Sequence, residues 1–140
     1  MKKETVSSAK KKVWKVFSEY IRFRAADENG NAKCVSCGKV APWRSLHAGH
    51  YIPKTSGLSI YFFEKNVHPQ CVTCNLFKSG NLSEYALYLT RTYGQGILEK
   101  LDRKKCEPMK LSRGDYEELI EFYKSRVKSQ KEAKEMFKDF

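Results

Sequence analysis

The chain has 140 residues, a length that suits one domain with a real hydrophobic core. Lys and Arg number 27 against 16 Asp and Glu, and the resulting net charge of +11 favours a polyanionic partner such as nucleic acid. With 41% hydrophobic residues the composition excludes wholesale disorder. No apolar run is long enough for a membrane span, and no signal-peptide core follows the basic start, so we expect a cytoplasmic protein without a membrane partner.

The N-terminal region predicts an amphipathic helix. From Ser8 to about Asp27, apolar residues recur at helical spacing with Lys and Arg between them. We therefore expect residues 1–28 to form a basic N-terminal helix, in which Trp14 and the other aromatic residues serve as core packing. The lysines of this region are candidates for non-specific phosphate contacts: Lys2, Lys3, Lys10, Lys11, Lys12 and Lys15.

The C-terminal half predicts further helices. From Cys74 onward, and mainly over residues 81–128, helical spacing returns, with a stop at Gly94. Ser112 followed three residues later by Asp115 resembles a capping box, which predicts the start of the last helix. Residues 129–140 form a charged tail that could be a helix extension, a DNA-binding arm or a dimer contact.

The cysteines between these helical regions predict a structural zinc site. Four of the five cysteines form two C-x-x-C pairs, namely Cys34 with Cys37 and Cys71 with Cys74. In a cytosolic chain two such pairs favour metal ligation over disulfides, and together they supply the four thiolates of a tetrahedral zinc site. Gly38 permits the left-handed turn that closes the first pair. Cys106 is left over as a free thiol, and residues 33–80 become a zinc-stapled core.

Two short strings and one dipeptide within this core carry a family resemblance. They are His47-Ala48-Gly49-His50-Tyr51, Asn66-Val67-His68-Pro69-Gln70 and Cys74-Asn75. With the zinc cysteines in register, His50, Asn66 and Asn75 resemble the His-Asn-His/Asn pattern of HNH nucleases. The resemblance implies an α+β fold, in which a ββα-metal core clasps one catalytic divalent ion between an N-terminal helix and C-terminal helices.

The resemblance also implies roles for these three residues. His50 would act as the general base that deprotonates water, since a histidine titrates near neutral pH. Asn66 would hold the hairpin turn and fix the His50 imidazole through backbone contacts. Asn75 would ligate the metal through its amide oxygen, and the metal would neutralise charge that develops on the phosphate.

One ligand of the family pattern is missing. Many HNH nucleases carry Asp directly before the catalytic His, whereas this chain has Gly49. His47 lies on the same strand face as Gly49, and His68 shares a face with Asn66 on the opposite strand, so either imidazole could supply the metal ligand. We favour His47 as the ligand and keep His68 among the catalytic candidates. An imidazole ligand would shift preference from Mg²⁺ toward Mn²⁺.

A narrower resemblance concerns the substrate. The same strings, together with Ser79-Gly80-Asn81, resemble the phage NinG/Rap family of recombination nucleases, which also has glycine at the position of Gly49. The resemblance implies a phage-encoded enzyme that cuts branched DNA, including Holliday junctions and strand-invasion loops, and a homodimer would suit paired cuts. Further candidates for phosphate contact near the hairpin are Arg44, Lys54 and Lys78.

Two other functions remain open from the sequence. A non-catalytic zinc-ribbon module that binds DNA or RNA would use the same cysteines and charge but would not need His50, Asn66 and Asn75. A recombination accessory protein would instead use its aromatic residues to bind a protein partner. The variant His50→Ala separates a nuclease from a binding module, because only the nuclease would lose activity while still binding DNA.

Overall fold

The computed structural model describes residues 5–136, which form five α-helices and four short strands. In chain order they are α1 (Val6–Arg24), β1 (Asn31–Lys33), β2 (Val40–Pro42), β3 (His47–His50), α2 (Leu58–Tyr61), β4 (Val67–Gln70), α3 (Leu82–Tyr93), α4 (Ile97–Lys105) and α5 (Arg113–Met136). This is the mixed α+β fold that the sequence predicts. Of the predicted phosphate contacts, Lys2 and Lys3 lie outside the described residues, as do the last four residues of the predicted tail.

The first and last helices, α1 and α5, pack against each other and form the most extensive interface between the described elements. The Thr5 side chain caps α1 by accepting a hydrogen bond from the Ser8 amide at 3.0 Å. The apolar side of α1 then buries Phe17 against Tyr123 of α5, with ring centroids 4.9 Å apart. Tyr116 of α5 packs further along α1, in a second cluster of buried side chains. An N-terminal amphipathic helix is therefore present, as predicted, but it ends at Arg24 and not near Asp27.

The capping box predicted for the last helix is present. The Ser112 amide donates to Asp115 Oδ2 at 2.8 Å, and the Asp115 amide donates to Ser112 Oγ at 3.1 Å. From this start α5 continues to Met136, so the described part of the charged tail extends the helix. Lys134 of this extension donates a hydrogen bond to the Ala26 carbonyl, just after α1.

Two separate antiparallel hairpins lie between α1 and α3. Strands β1 and β2 pair around the first cysteine pair, and Gly38 at their turn has φ +80°, as predicted. Strands β3 and β4 pair so that His47 lies opposite Gln70 and Gly49 lies opposite His68. Directly opposite residues of an antiparallel pair share a face, so these four residues lie on one face of the second hairpin.

The segment after β4 differs from the helix predicted from Cys74 onward. Residues Thr73–Phe77 form a single π-helical turn, and the α-helix begins only at Leu82. The Gly80 amide closes this turn by donating to the Cys74 carbonyl at 2.7 Å, and Asn81 adopts left-handed φ +44°. The second cysteine pair therefore spans the start of this turn, with Cys71 before it and Cys74 within it.

None of the helices within residues 5–136 combines the length and the apolar composition of a membrane span.

Candidate functional site

The four paired cysteines come together in one cluster. The sulfur atoms of Cys34, Cys37, Cys71 and Cys74 all lie within 4.8 Å of one another, and Cys37 Sγ is 3.7 Å from Cys71 Sγ. The Cys74 amide donates to Cys71 Sγ at 3.5 Å, and Asn81 Nδ2 donates to Cys74 Sγ at 3.5 Å. These hydrogen bonds favour thiolates, whereas burial raises the pKa of Cys37 and of Cys74. The close spacing of the four sulfur atoms is what allows the cluster to hold one structural zinc ion, as the sequence predicts.

An open cleft of about 630 Å³ lies beside this cluster. Its walls come from α1, β3, the loop after β3 and the π-helical turn, and they include Trp14, Arg22, His47, His50, Lys54 and Asn75. The fold thus brings two of the three histidines and one of the two predicted asparagines to the same cleft. A cleft that gathers titratable and amide side chains in this way is the default candidate for a functional site.

The His50 side chain is held in one orientation. Its Nε2 atom lies 2.9 Å from the carbonyl oxygen of Tyr61, which can only accept, so Nε2 carries the proton and Nδ1 keeps its lone pair. The Trp14 ring stacks on the imidazole, with centroids 5.1 Å apart. Burial, together with the charge of Lys54, lowers the pKa of His50 below its ordinary value, although the Tyr61 carbonyl opposes the shift. The imidazole is therefore neutral at neutral pH and able to accept a proton.

Asn66 stabilises the loop that contains the Tyr61 carbonyl. Its side chain is fully buried, and Oδ1 accepts from the Ile52 amide at 2.8 Å. Its Nδ2 donates to the Ile52 carbonyl at 3.0 Å and to the Ile60 carbonyl at 3.2 Å. Ile60 directly precedes Tyr61, so Asn66 fixes the backbone that binds the His50 imidazole.

His47 and Asn75 meet on the other side of the cleft. Asn75 Nδ2 lies 3.0 Å from His47 Nδ1. The Asn75 Oδ1 atom points toward Gly49, where it lies 3.1 Å from the position that a Cβ atom would take. The Asn75 amide nitrogen therefore faces His47, whose Nδ1 accepts this hydrogen bond, while the amide oxygen faces Gly49. Imidazole nitrogens and amide oxygens are both ligand types that divalent transition ions accept.

The structure does not bring His68 to the cleft. This side chain is only 2% exposed, and both ring nitrogens are engaged by tyrosines. The Tyr85 hydroxyl donates to the Gly49 carbonyl at 2.7 Å, so it accepts from His68 Nδ1, and His68 Nε2 accepts from the Tyr93 hydroxyl at 2.8 Å. Burial, with a smaller effect of Arg24, lowers the pKa of His68 to about 3. This histidine is therefore a neutral core residue that supports the backbone of Gly49.

The basic residues predicted to contact DNA lie at different distances from the cleft, and only some of them border it. Lys10 Nζ lies 4.3 Å above the Tyr61 ring, and Lys54 lines the cleft. At 3.6 residues per turn, Lys11 and Lys15 project from the side of α1 that carries Trp14 and Arg22, whereas Lys12 projects from the side of Glu19. Arg44 is exposed and lies 4.4 Å above the Trp43 ring, and Lys78 is exposed at the end of the π-helical turn.

Two cleft residues were not predicted as part of a site. Trp14 has the helical spacing of a core residue, yet it is half-buried and stacks on His50. Arg22 donates from Nε to the Ser18 carbonyl at 3.0 Å and from a terminal nitrogen to the Leu46 carbonyl at 3.4 Å, which holds its guanidinium at the cleft wall. The sequence carries no signal for either role, because both depend on contacts with β3 and the turn before it.

The fold and the site define a mixed α+β protein built on a four-cysteine cluster that can bind zinc. Residues 1–135 match the family model described as Bacteriophage Lambda NinG protein, and the chain belongs to this NinG family. It is 31% identical to Protein ninG of Escherichia phage lambda over 118 residues, which cover 79% of this chain and 54% of that protein.

Two further relatives show the same pattern. Protein ninG of Salmonella phage P22 is 30% identical over 79% of this chain and 55% of its own length. Protein ninG of Escherichia phage 933W is 35% identical over 66% of this chain and 43% of its own length. The chain thus spans about half the length of the curated relatives it matches. No solved structure is significantly similar to it.

Proposed function

We propose that this chain is a metal-dependent DNA endonuclease of the HNH type, with His50 as its general base. The observation that carries the proposal is that the His50 imidazole is oriented by one ring nitrogen and keeps the other nitrogen available. His50 lines an open cleft, its Nε2 atom is engaged by the Tyr61 carbonyl, and its Nδ1 atom has no hydrogen-bond partner among residues 5–136. A neutral, oriented imidazole with one available nitrogen is what abstraction of a proton from water requires.

The side chains beside His50 fit a divalent cation. Asn75 and His47 line the same cleft, and a donor set of an amide oxygen and an imidazole nitrogen suits Mn²⁺ better than Mg²⁺. A cation there would take the place of the hydrogen bond from Asn75 Nδ2 to His47 Nδ1. A cation held there would neutralise negative charge as it develops on the phosphate. Arg22 and Lys54 add fixed positive charge to the cleft walls, where the DNA backbone would enter.

In the proposed reaction, His50 Nδ1 removes a proton from a water molecule. The water oxygen bonds to phosphorus, and the bond from phosphorus to the 3′ oxygen breaks, so the products are a 5′-phosphate and a 3′-hydroxyl protonated from solvent. Asn66 does not touch the reacting atoms; it positions His50 through Ile60 and Tyr61.

We further propose branched DNA, such as Holliday junctions and strand-invasion loops, as the substrate class. The support is membership of the NinG family, together with a net charge of +11 and the basic side of α1 that borders the cleft. A homodimer would place two such clefts on one junction and would allow paired cuts. The mass of the protein on junction DNA tests this part: a single copy would contradict it.

The test is cleavage of a labelled four-way junction and of its linear arms, in Mn²⁺, Mg²⁺ or EDTA. The variant His50→Ala should bind the junction like wild type but cut it about 10² to 10⁴ times more slowly, because general base catalysis contributes about that much. Added imidazole should restore part of the lost rate, which a purely structural role of His50 would not allow.

The outcomes separate the candidate functions. Metal-dependent and His50-dependent cutting of the junction in preference to its arms would support both the nuclease and its substrate class. Equal cutting of both substrates would leave a general HNH nuclease. Intact binding without cutting would instead favour a zinc-dependent DNA-binding module or a recombination accessory protein.

A further inference from the structure

The Gln70 side chain lies at the end of β4, directly before the second cysteine pair, and it is completely buried. Its Nε2 atom donates to Ser36 Oγ at 2.8 Å and to the Gly80 carbonyl at 2.7 Å. A carbonyl oxygen can only accept, so the amide nitrogen must face Gly80. The orientation of the amide is therefore fixed, and Oε1 must point the other way.

This Oε1 atom has no hydrogen-bond partner among the described residues. An unpaired buried acceptor costs stability, and in a native protein it commonly marks a water or an ion that completes its coordination. The atom faces the space above Gly49, which Asn75 Oδ1 also approaches. Two acceptor oxygens from different elements thus approach the same place beside Gly49, whose neighbours Ala48 and His50 line the cleft.

Gly49 creates this space by having no side chain. Its backbone conformation is open to any residue, so conformational freedom does not explain the glycine. A Cβ atom at this position would overlap Gln70 Oε1 and would lie 3.1 Å from Asn75 Oδ1. The Gln70 oxygen therefore occupies the room that a side chain at position 49 would need, including the aspartate expected there from the HNH pattern.

We propose that Gln70 Oε1 is the ligand that replaces the missing carboxylate, and that it holds the divalent cation together with Asn75 Oδ1 and His47. This inference rests on the proposed nuclease function and specifies its metal site. All three ligands are neutral, and a set without a carboxylate should bind hard cations weakly and favour Mn²⁺ over Mg²⁺.

The first test uses the unaltered, zinc-loaded chain and Mn²⁺ as a paramagnetic probe. Mn²⁺ should broaden the side-chain amide NMR signals of Gln70 and Asn75 at lower concentration than that of Gln95, which is exposed after α3. Equal broadening of the three signals would overturn the proposal. Since no residue is changed, the result does not depend on the folding of a variant.

The second test removes the proposed ligand at position 70 and supplies a carboxylate at position 49 instead. Gln70→Ala should weaken Mn²⁺ binding, measured by calorimetry, by about tenfold or more, and Gln95→Ala should leave it unchanged. Gly49→Asp alone should lower the melting temperature, because its side chain must displace the hydrogen-bonded Gln70 amide. The double variant Gly49→Asp with Gln70→Ala should melt higher than Gly49→Asp and bind Mn²⁺ at least as tightly as wild type, since a carboxylate then fills the vacated space.

These measurements separate the ligand from the function. If Gln70→Ala binds Mn²⁺ and cuts junctions like wild type, Gln70 is not a ligand, its oxygen pairs with water only, and the nuclease proposal stands. If wild type neither binds Mn²⁺ nor cuts, the nuclease proposal fails as well. Loss of Mn²⁺ binding in Gln70→Ala with recovery in the double variant would support the ligand assignment directly.

Discussion

The cysteine cluster and the cleft beside it are neighbouring candidate metal sites that present their donors differently. In the cluster four sulfur atoms lie within 4.8 Å of one another, and three of the four cysteines are buried. In the cleft, imidazole and amide groups line an open volume of about 630 Å³. Structural zinc sites are closed, whereas catalytic metal sites keep a position open. The difference supports a structural role for the cluster, and in the proposed nuclease the cleft is the place for chemistry.

The two regions are also linked in the sequence. Gln70 directly precedes Cys71, and Asn75 directly follows Cys74, so the segment that carries the second cysteine pair also directs two amide side chains toward Gly49. We expect loss of the cluster to destroy the cleft, whereas changes at His50 or Asn66 should leave the cluster in place. Gln70 is the exception, because its amide donates to Ser36 Oγ and to the Gly80 carbonyl beside the cysteines.

The largest expected effect therefore comes from the cluster. Cys74→Ser, or removal of zinc by a strong chelator, should unfold the segment from β1 to the π-helical turn and abolish DNA cutting. Structural zinc contributes about 10 kcal/mol or more in small zinc domains, which is comparable to the whole stability of a typical domain. Circular dichroism melts of the zinc-loaded and chelated protein measure the loss.

Cys106→Ser is the matched control, because this cysteine is exposed and lies outside the cluster. It should leave the melt unchanged. A Cys74→Ser protein that melts like wild type would show that the four cysteines do not hold a structural metal, and the comparison between the two regions would lose its basis.

A smaller effect is expected from Asn66, which stabilises the cleft without contributing to the cluster. Asn66→Ala removes the partners of the Ile52 amide and of two buried carbonyls, so the free energy of unfolding should fall by about 3 kcal/mol and the melting temperature by about 10 °C. Zinc content should stay at wild-type level. Asn29→Ala, at an exposed turn position, is the control and should shift the melt by less than about 2 °C.

Stability changes of similar size in the Asn66 and Asn29 variants would contradict this role of Asn66. Loss of zinc from Asn66→Ala would show instead that the cleft supports the cluster, which reverses the dependence inferred above.

Much of the framework could be predicted from the sequence because it rests on local signals. The spacing of apolar residues predicts α1, and the reciprocal Ser112 and Asp115 side chains predict the start of α5. Two C-x-x-C pairs predict a cluster because thiol chemistry leaves few alternatives in a cytosolic chain. In each case the determining residues lie within a few positions of one another or carry unusual chemistry.

The contents of the cleft could not be predicted in the same way. The identical residue type at His50 and His68 gives no sign that His50 lines the cleft with Asn75, whereas His68 is buried with both ring nitrogens hydrogen-bonded to tyrosines of α3. That difference arises from the register of β3 with β4 and from the position of α3. Gln70 likewise has no local signal, since the importance of its oxygen depends on the absence of a side chain at Gly49 on the paired strand.

The pH dependence of DNA cutting tests the protonation of His50 in the cleft, separately from the cysteine cluster. A general base must be unprotonated, so the cutting rate should rise with pH through the pKa of His50 and then level off. Burial lowers this pKa, and therefore the midpoint should lie below the ordinary histidine value of 6.5. The charge of Lys54 contributes to the shift, so Lys54→Gln should move the midpoint to higher pH.

Lys78→Gln is the control for this profile, because Lys78 is exposed but is not among the charges that shift the pKa of His50. Its midpoint should match wild type. A rate that stays constant down to pH 4 would contradict a histidine base, and a midpoint above 6.5 would contradict the buried, neutral imidazole.

The smallest expected effect concerns the basic side of α1, which borders the cleft but lies outside both candidate metal sites. Lys11 projects from the same side of the helix as Trp14 and Arg22, whereas its neighbour Lys12 projects from the side that carries Glu19. If DNA enters along the cleft, Lys11→Gln should reduce the slope of log binding constant against log salt by about 0.9, the contribution of one phosphate contact, and Lys12→Gln should not. Binding to duplex arms at several salt concentrations measures both slopes. Equal changes in the two variants would mean that charge on α1 acts diffusely, and that the cleft does not define the path of the DNA.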